Sequence, residues 1–193
     1  MFLTVQKTGN AVIKEKGSKF LGKASPCNNE VEAKRIIESL RKDNPGCVHV
    51  CYAYRFGADH KNFRYSDDGE PSNSAGSPIF GQIKSFDLTN VLLTVVRYYG
   101  GINLGVGGLI QAYKLASKLA IENTEIIEQE EMKTFHISFS YNILHLVMNV
   151  VKATDCTIIE KNLQSAVEMQ LSVPISNQTL ITKLEKIKGL NIT

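Results

Sequence analysis

Residues 91–123 constrain the fold of this chain more than any other stretch. Residues 91–99, Val-Leu-Leu-Thr-Val-Val-Arg-Tyr-Tyr, are apolar almost without a break. A run of that length bounded by polar turns predicts a strand buried on both faces. It ends in a glycine-dense loop, residues 100–108, which carries Gly100, Gly101, Gly105, Gly107 and Gly108. A helix over residues 109–123 follows, with Leu109, Tyr113, Ala116 and Ala120 as its core stripe and Gln111, Lys114 and Lys118 on another face. Strand, glycine loop and helix is the arrangement that cradles anions, because glycine lets the backbone approach and a helix N-terminus presents free N–H groups. No Gly-Lys-Ser/Thr follows the loop, and Ile110 stands where the dinucleotide fingerprint needs its third glycine. Glycines serve tight turns and close helix–strand packing as well. Anion binding and packing both stay open on these residues alone.

Around this segment the pattern alternates between short strands and helices. Strands are expected at residues 2–6, 11–14 and 20–25, then a helix over 29–43 with Val31, Ala33, Ile36, Ile37 and Leu40 as its apolar stripe. Asn28 or Asn29 caps its start, and Asn44-Pro45-Gly46 stops it. A strand over 48–56 comes next, then a polar stretch, 57–77, that reads as loop, and a short helix over 78–85 opened by Pro78. The acidic stretch 122–131 breaks the periodicity and reads as a linker. It divides the chain into a motif-bearing domain, residues 1–128, and a smaller one, residues 129–193. The smaller one gives strands at 134–140, 156–161, 166–173 and 190–192, with helices at 143–153 and 176–187. That β-α-β-β-α-β order is the ferredoxin-like signature, so the chain as a whole is expected to be α+β.

Charge narrows the function classes. The 193 residues carry 22 Lys+Arg and 19 Asp+Glu, a formal +3, which is too little for a generally basic nucleic-acid-binding surface. The whole excess lies in residues 1–128, and residues 129–193 are neutral. No apolar run approaches the roughly 18 residues of a membrane span, and the N-terminus has no apolar core of a secretory signal, so a cytoplasmic protein is expected. Cys27, Cys47, Cys51 and Cys156 are scattered, as suits a reducing compartment. Cys47, His49 and Cys51 fall on one expected strand, where the two sulfurs would stand roughly 13 Å apart. That is too far to share a zinc ion at about 2.3 Å, so structural cysteines are expected.

A second stretch able to carry chemistry is residues 65–78, where Asp67, Asp68 and Glu70 put three carboxylates around an Asp-Gly turn. Such a cluster can hold a divalent cation or move protons, or it can cap local backbone amides. The spacing is not that of a calcium-binding EF-hand. There is no Gly-x-Ser-x-Gly nucleophile elbow, and His60, His136 and His145 have no evident partner.

These residues carry a resemblance. Ser18-Lys19-Phe-Leu-Gly22, His49-Val-Cys-Tyr-Ala-Tyr-Arg55, Asp67-Asp68-Gly-Glu70-Pro71 with Ala75-Gly-x-Pro78, Arg97-Tyr98-Tyr-Gly100-Gly101, Leu104-Gly105-x-Gly107-Gly108-Leu109 and Ala112-Tyr113 together resemble the Impact/YigZ family over residues 1–123. The tail resembles the C-terminal domain of the bacterial members. The resemblance implies a first domain like the second domain of ribosomal protein S5, followed by a ferredoxin-like domain, a tandem similar to domains IV and V of elongation factor G. It also implies regulation of translation, which eukaryotic Impact proteins achieve by competing for the activator of a stress kinase that phosphorylates an initiation factor.

The chain departs from the family pattern where binding to nucleic acid would need it. Asn103 stands where the family commonly has Lys, Gln111 where it has Arg, and Ser77 where a basic residue is frequent. Each missing cation removes a phosphate contact. The expected function is a non-catalytic, cytosolic regulator of translation that binds the ribosome, RNA or a translation-associated protein, without metal or cofactor. Its face would combine Asp67, Asp68, Glu70, Arg97, Tyr98 and the glycine loop with Ser18, Lys19, His49, Arg55 and Tyr113. The alternative is an enzyme that uses Asp67, Asp68 or Glu70 for metal or acid/base chemistry, with His49 or Arg55 assisting.

Overall fold

The computed structural model describes residues 1–163 and 166–193. The chain divides into two compact units, Met1–Gln129 and Glu130–Thr193. The first contains β1 (Phe2–Val5), β2 (Gly9–Glu15), β3 (Ser18–Pro26), α1 (Glu30–Asp43), β4 (His49–Phe56), β5 (Asn62–Ser66), α2 (Gly76–Ser85), β6 (Val91–Tyr98), α3 (Gly105–Glu122) and β7 (Ile126–Gln129). Five strands form an antiparallel sheet in the order β2-β3-β6-β4-β5, and β1 pairs with β7 in a separate ribbon.

β6 sits in the middle of that sheet and is buried on both faces, as its apolar run requires. Side chains alternate across it. Val91, Leu93 and Val95 join Phe20, Cys51 and Ala53 in a core closed by α2 and α3, including Ile79, Ile83, Tyr113 and Ala116. Leu92 turns to the opposite face, where it packs with Tyr54, Phe56, Cys27 and Ala33 under α1. On that face Tyr52, Tyr54 and Phe56 stack in a row, with ring centroids 6.2 and 4.5 Å apart.

Asn29 caps α1, its Oδ1 accepting the Glu32 N–H at 2.9 Å. Of the expected stripe, Ala33 is buried and Ile36 and Ile37 pack partly, while Val31 is exposed. Other boundaries move. The stretch 57–77 is not all loop: β5 lies in it as an edge strand on β4, and Phe63 and Tyr65 stack on Phe80 of α2. α2 begins at Gly76, which puts Pro78 inside its first turn. α3 begins at Gly105, four residues before the expected start, with Gly105 itself at a φ of +71°. The acidic stretch is not a free linker, since β7 inside it pairs residue for residue with β1.

Close approach of α3 to the sheet depends on glycine. A Cβ on Gly22 would stand 2.3 Å from the Ala116 carbonyl oxygen, and one on Gly9 would stand 2.1 Å from that of Ala120.

The second unit contains β8 (Met132–Phe139), a 3-10 turn (Tyr141–Ile143), α4 (Leu144–Lys152), β9 (Thr157–Leu163), β10 (Val167–Pro174), α5 (Gln178–Glu185) and β11 (Leu190–Ile192). The sheet order β11-β8-β10-β9, all antiparallel, is the ferredoxin-like arrangement, so the chain is α+β throughout. Phe135, Ile137, Met169 and Leu171 pack against Val147, Val151, Leu180 and Leu184. Both helices are shorter than their expected spans, and the first turn before α4 is 3-10. Among the described residues no helix is long and apolar enough to cross a membrane.

Two glycine substitutions separate packing from freedom. Gly22→Ala forces α3 off β3 and is expected to cost about 2–3 kcal/mol in urea denaturation. Gly107→Ala meets nothing within 4 Å and is expected to raise stability by about 0.5–1 kcal/mol.

Candidate functional site

The register of the sheet assembles the site. His49 at the start of β4 pairs with Arg97 near the end of β6, and both side chains share the face covered by α2 and α3. β5 pairs Ser66 with Tyr52, so the turn that leaves β5 arrives beside Cys51 and His49. In that turn the Glu70 N–H donates to the Asp67 carbonyl at 2.9 Å. Asp68 and Gly69 have φ of +48° and +89°, the left-handed pair that a type I′ turn needs and that Asp-Gly supplies readily. A Cβ on Gly69 would come within 3.3 Å of the His49 ring.

The three carboxylates go to different partners. Asp67 Oδ1 accepts the N–H groups of Ala75 and Gly76 at 2.9 and 2.8 Å, and Oδ2 accepts that of Asn73 at 2.9 Å. It thereby caps α2, whose own N-cap residue, Ala75, has no side-chain oxygen. Asp68 Oδ2 accepts the Val50 N–H at 2.6 Å, and Oδ1 pairs with Arg41 from the last turn of α1. Glu70 is buried, its Oε1 accepting from Arg97 Nη1 at 2.6 Å and from the Tyr113 hydroxyl at 2.7 Å.

His49 and Cys51 complete the cluster. Because a carbonyl oxygen only accepts, the 2.6 Å contact between His49 Nδ1 and the Asp68 carbonyl places a proton on Nδ1. Nε2 stands 4.0 Å from Glu70 Oε1, beyond hydrogen-bond reach. The Cys51 thiol lies 3.0 Å from the Asp67 carbonyl and 3.4 Å from the Tyr113 hydroxyl. Burial pushes the Cys51 thiol and the Tyr113 hydroxyl well above their ordinary ranges, so neither is an activated nucleophile. Among the described residues no group of three or more His, Cys, Asp or Glu could hold a metal ion.

Arg97 is 6% exposed, with its Cζ 5.5 Å from the ring centroids of both Phe20 and Tyr99. Its Nε is buried without a hydrogen-bond partner. Together with Glu70, Pro71, Asn103, Leu104, Gly105, Val106 and Leu109 it lines a cleft of about 370 Å³. The glycines beside this cleft divide into two kinds. Gly100 packs, since a Cβ there would stand 1.9 Å from the Gly17 carbonyl carbon, and its N–H donates to the buried Ser18 hydroxyl at 3.2 Å. Gly108 lies against Leu104, whereas Gly101, Gly105 and Gly107 have nothing within 4 Å of a built Cβ. Tyr99, Ile102 and Val106 are exposed around them.

Three expected site residues lie elsewhere. Lys19 pairs with Tyr98 across β3 and β6, on the opposite face of the sheet from Arg97. There the Lys19 Nζ approaches the Tyr98 ring at 6.0 Å, and the Tyr98 hydroxyl donates to Asn44 at 2.9 Å. Arg55 shares the face of His49 but sits six residues along β4, roughly 20 Å away. It is buried, donating from Nε to the Leu88 carbonyl at 2.5 Å and from Nη2 to Asp87 at 3.1 Å. The sequence reading missed Arg41, Phe20 and Tyr99 as partners in the cluster. Strand pairing carries a signal for Phe20, opposite Arg97, and none exists for Arg41.

Removing the cap with Asp67→Ala leaves three backbone donors unmatched and is expected to lower stability by about 3 kcal/mol, measured by urea denaturation. Thiol burial gives a pH dependence. Burial raises Cys27 from 9.0 to about 11, and it raises Cys51 further. Between those values the unfolded chain has released protons that the folded chain keeps, so stability falls with rising pH. Thermal melts should therefore be unaffected by these thiols up to about pH 8 and decline above about pH 9, and Cys27→Ala with Cys51→Ala should flatten that decline.

Comparison with known proteins points to one family. The model of the Impact N-terminal domain matches residues 16–121. The chain is 31% identical over 172 residues to the IMPACT family member YvyE of Bacillus subtilis (strain 168), covering 89% of this chain and 79% of that protein. It is 31% identical over 161 residues to the IMPACT family member YigZ of Escherichia coli (strain K12), covering 82% and 79%. A solved crystal structure described as that of a hypothetical protein superposes with a TM-score of 0.80 at 28% identity, covering 99% of this chain and 95% of that one. The Arg97–Glu70 cluster and the glycine loop fall within the matched residues, and the chain belongs to the IMPACT family.

Proposed function

We infer that this chain is a non-catalytic regulator of translation, and that it acts by docking a translation-associated protein on the face formed by the 67–71 turn and the 97–108 loop. The observation that carries this reading is the fate of the carboxylates. Asp67 accepts from three backbone N–H groups, Asp68 holds Val50 and Arg41, and Glu70 holds Arg97 and Tyr113. A general base must be free to reach a substrate proton, and these three are engaged by the protein itself. Beside them, Gly101, Gly105 and Gly107 leave backbone bare, ringed by the exposed apolar side chains of Tyr99, Ile102 and Val106. Exposed aromatic and aliphatic groups around accessible backbone suit a protein partner.

Family membership supports the link to translation. Asn103, Gln111 and Ser77 favour a protein over nucleic acid, since none carries the positive charge that neutralises a phosphate and releases its counterion.

The test is co-sedimentation with ribosomal and post-ribosomal fractions, with a photo-crosslinking amino acid at position 102. A cross-link to one protein of the translation machinery is expected, persisting from low to moderate salt and lost when Val106→Asp is added to the chain that carries the cross-linker. Association that survives in that variant, or none at low salt, contradicts the reading. A steep fall of association with salt would assign the contact to nucleic-acid phosphate instead.

A further inference from the structure

We propose that the cleft between Glu70 and the start of α3 binds a side-chain carboxylate of an acidic, apolar-flanked segment in the partner protein; this rests on the docking face inferred above. Of the three helices in this unit, α3 alone starts without help from any carboxylate or amide side chain. α1 is capped by Asn29 and has Glu30 and Glu32 in its first turn, and α2 is capped by Asp67. α3 starts at Leu104 with no side-chain cap and no acidic residue in its first turn, although it runs for 18 residues. Its first N–H groups, with the positive end of the helix dipole behind them, are therefore free for an external anion.

The second, independent observation is Arg97. It lines the same cleft and is more than nine-tenths buried, yet its Nε has no partner. Glu70 engages it only through Nη1. The Nε–Nη2 edge, the side-on fork that matches a carboxylate, is not used by Glu70. A buried donor without an acceptor is costly, and an anion in the cleft would relieve it.

The surroundings select a carboxylate over phosphate. Glu70 already places one negative charge beside Arg97, so a singly charged group is repelled less than a phosphate. Asn103, where a cation would favour phosphate, accepts from the Tyr99 hydroxyl at 3.1 Å. The rim is apolar at Tyr99, Ile102 and Val106.

The experiment follows the backbone amide resonances of Gly105, Val106 and Gly107 in the full chain. The probes are a capped tripeptide with glutamate between two leucines, its glutamine counterpart and inorganic phosphate, each titrated into the millimolar range. Saturable shifts at those three amides are expected with the glutamate peptide only. Gly107→Asp, which adds a carboxylate where a Cβ meets nothing, should weaken the response about tenfold, and Gly107→Asn, which adds the same shape without the charge, should not. Equal response to both peptides, stronger response to phosphate, or no shift at these amides would overturn the proposal. If the peptide fails while cross-linking through position 102 stands, only the carboxylate assignment falls. If both fail, the docking face itself is wrong.

Discussion

Arg97 and Glu70 meet at 2.6 Å inside the protein, and most of the site depends on that pair. Taking both charges out of water costs several kcal/mol per ion, so the pair is a poor source of net stability. What it provides is position. Glu70 is held against the guanidinium, and Arg97 is held between Phe20 and Tyr99. The Asp-Gly turn is thereby fixed on the sheet at one register. Tyr113, at the centre of α3, donates to the same oxygen and ties the helix to the turn. Strand, turn and helix converge on a single carboxylate.

Much of this was legible in the sequence because local periodicity follows burial. β6 reads as doubly buried since both its faces are covered, and the α3 stripe of Leu109, Tyr113, Ala116 and Ala120 is the buried one. A cap at Asn28 or Asn29 reads from the residue type and its position before a periodic run, and Asn29 is the one that caps. β5 was not legible, because an exposed edge strand of polar and aromatic residues has no buried face to impose a pattern on. β7 was hidden for the same reason, its partner β1 being more than a hundred residues away. The site shows the same division. Asp67, Asp68, Glu70, Arg97 and Tyr113 come together, whereas Arg55 and Lys19 lie in the same motifs and go elsewhere. Strand position and parity decide that, and a motif does not display either.

The glycine loop resolves into two halves with different physics. Gly100 is needed because another backbone lies against it, so packing accounts for it fully. Gly101, Gly105 and Gly107 face open space; the first two also adopt φ of +84° and +71°. Their lack of side chains leaves backbone exposed above a buried cation. The small excess of positive charge in the first unit is therefore less informative than its placement, since Arg97 is inside and already half matched.

A double-mutant cycle on Glu70 and Arg97 tests the central claim most directly, using Glu70→Gln, Arg97→Gln and the combination in urea denaturation. Each single change should cost about 3–5 kcal/mol by stranding a buried charge. The double variant should recover a large part of that loss, with a coupling of about 2 kcal/mol or more. Losses that simply add, within about 0.5 kcal/mol, would mean that the two residues do not depend on each other and would contradict the account.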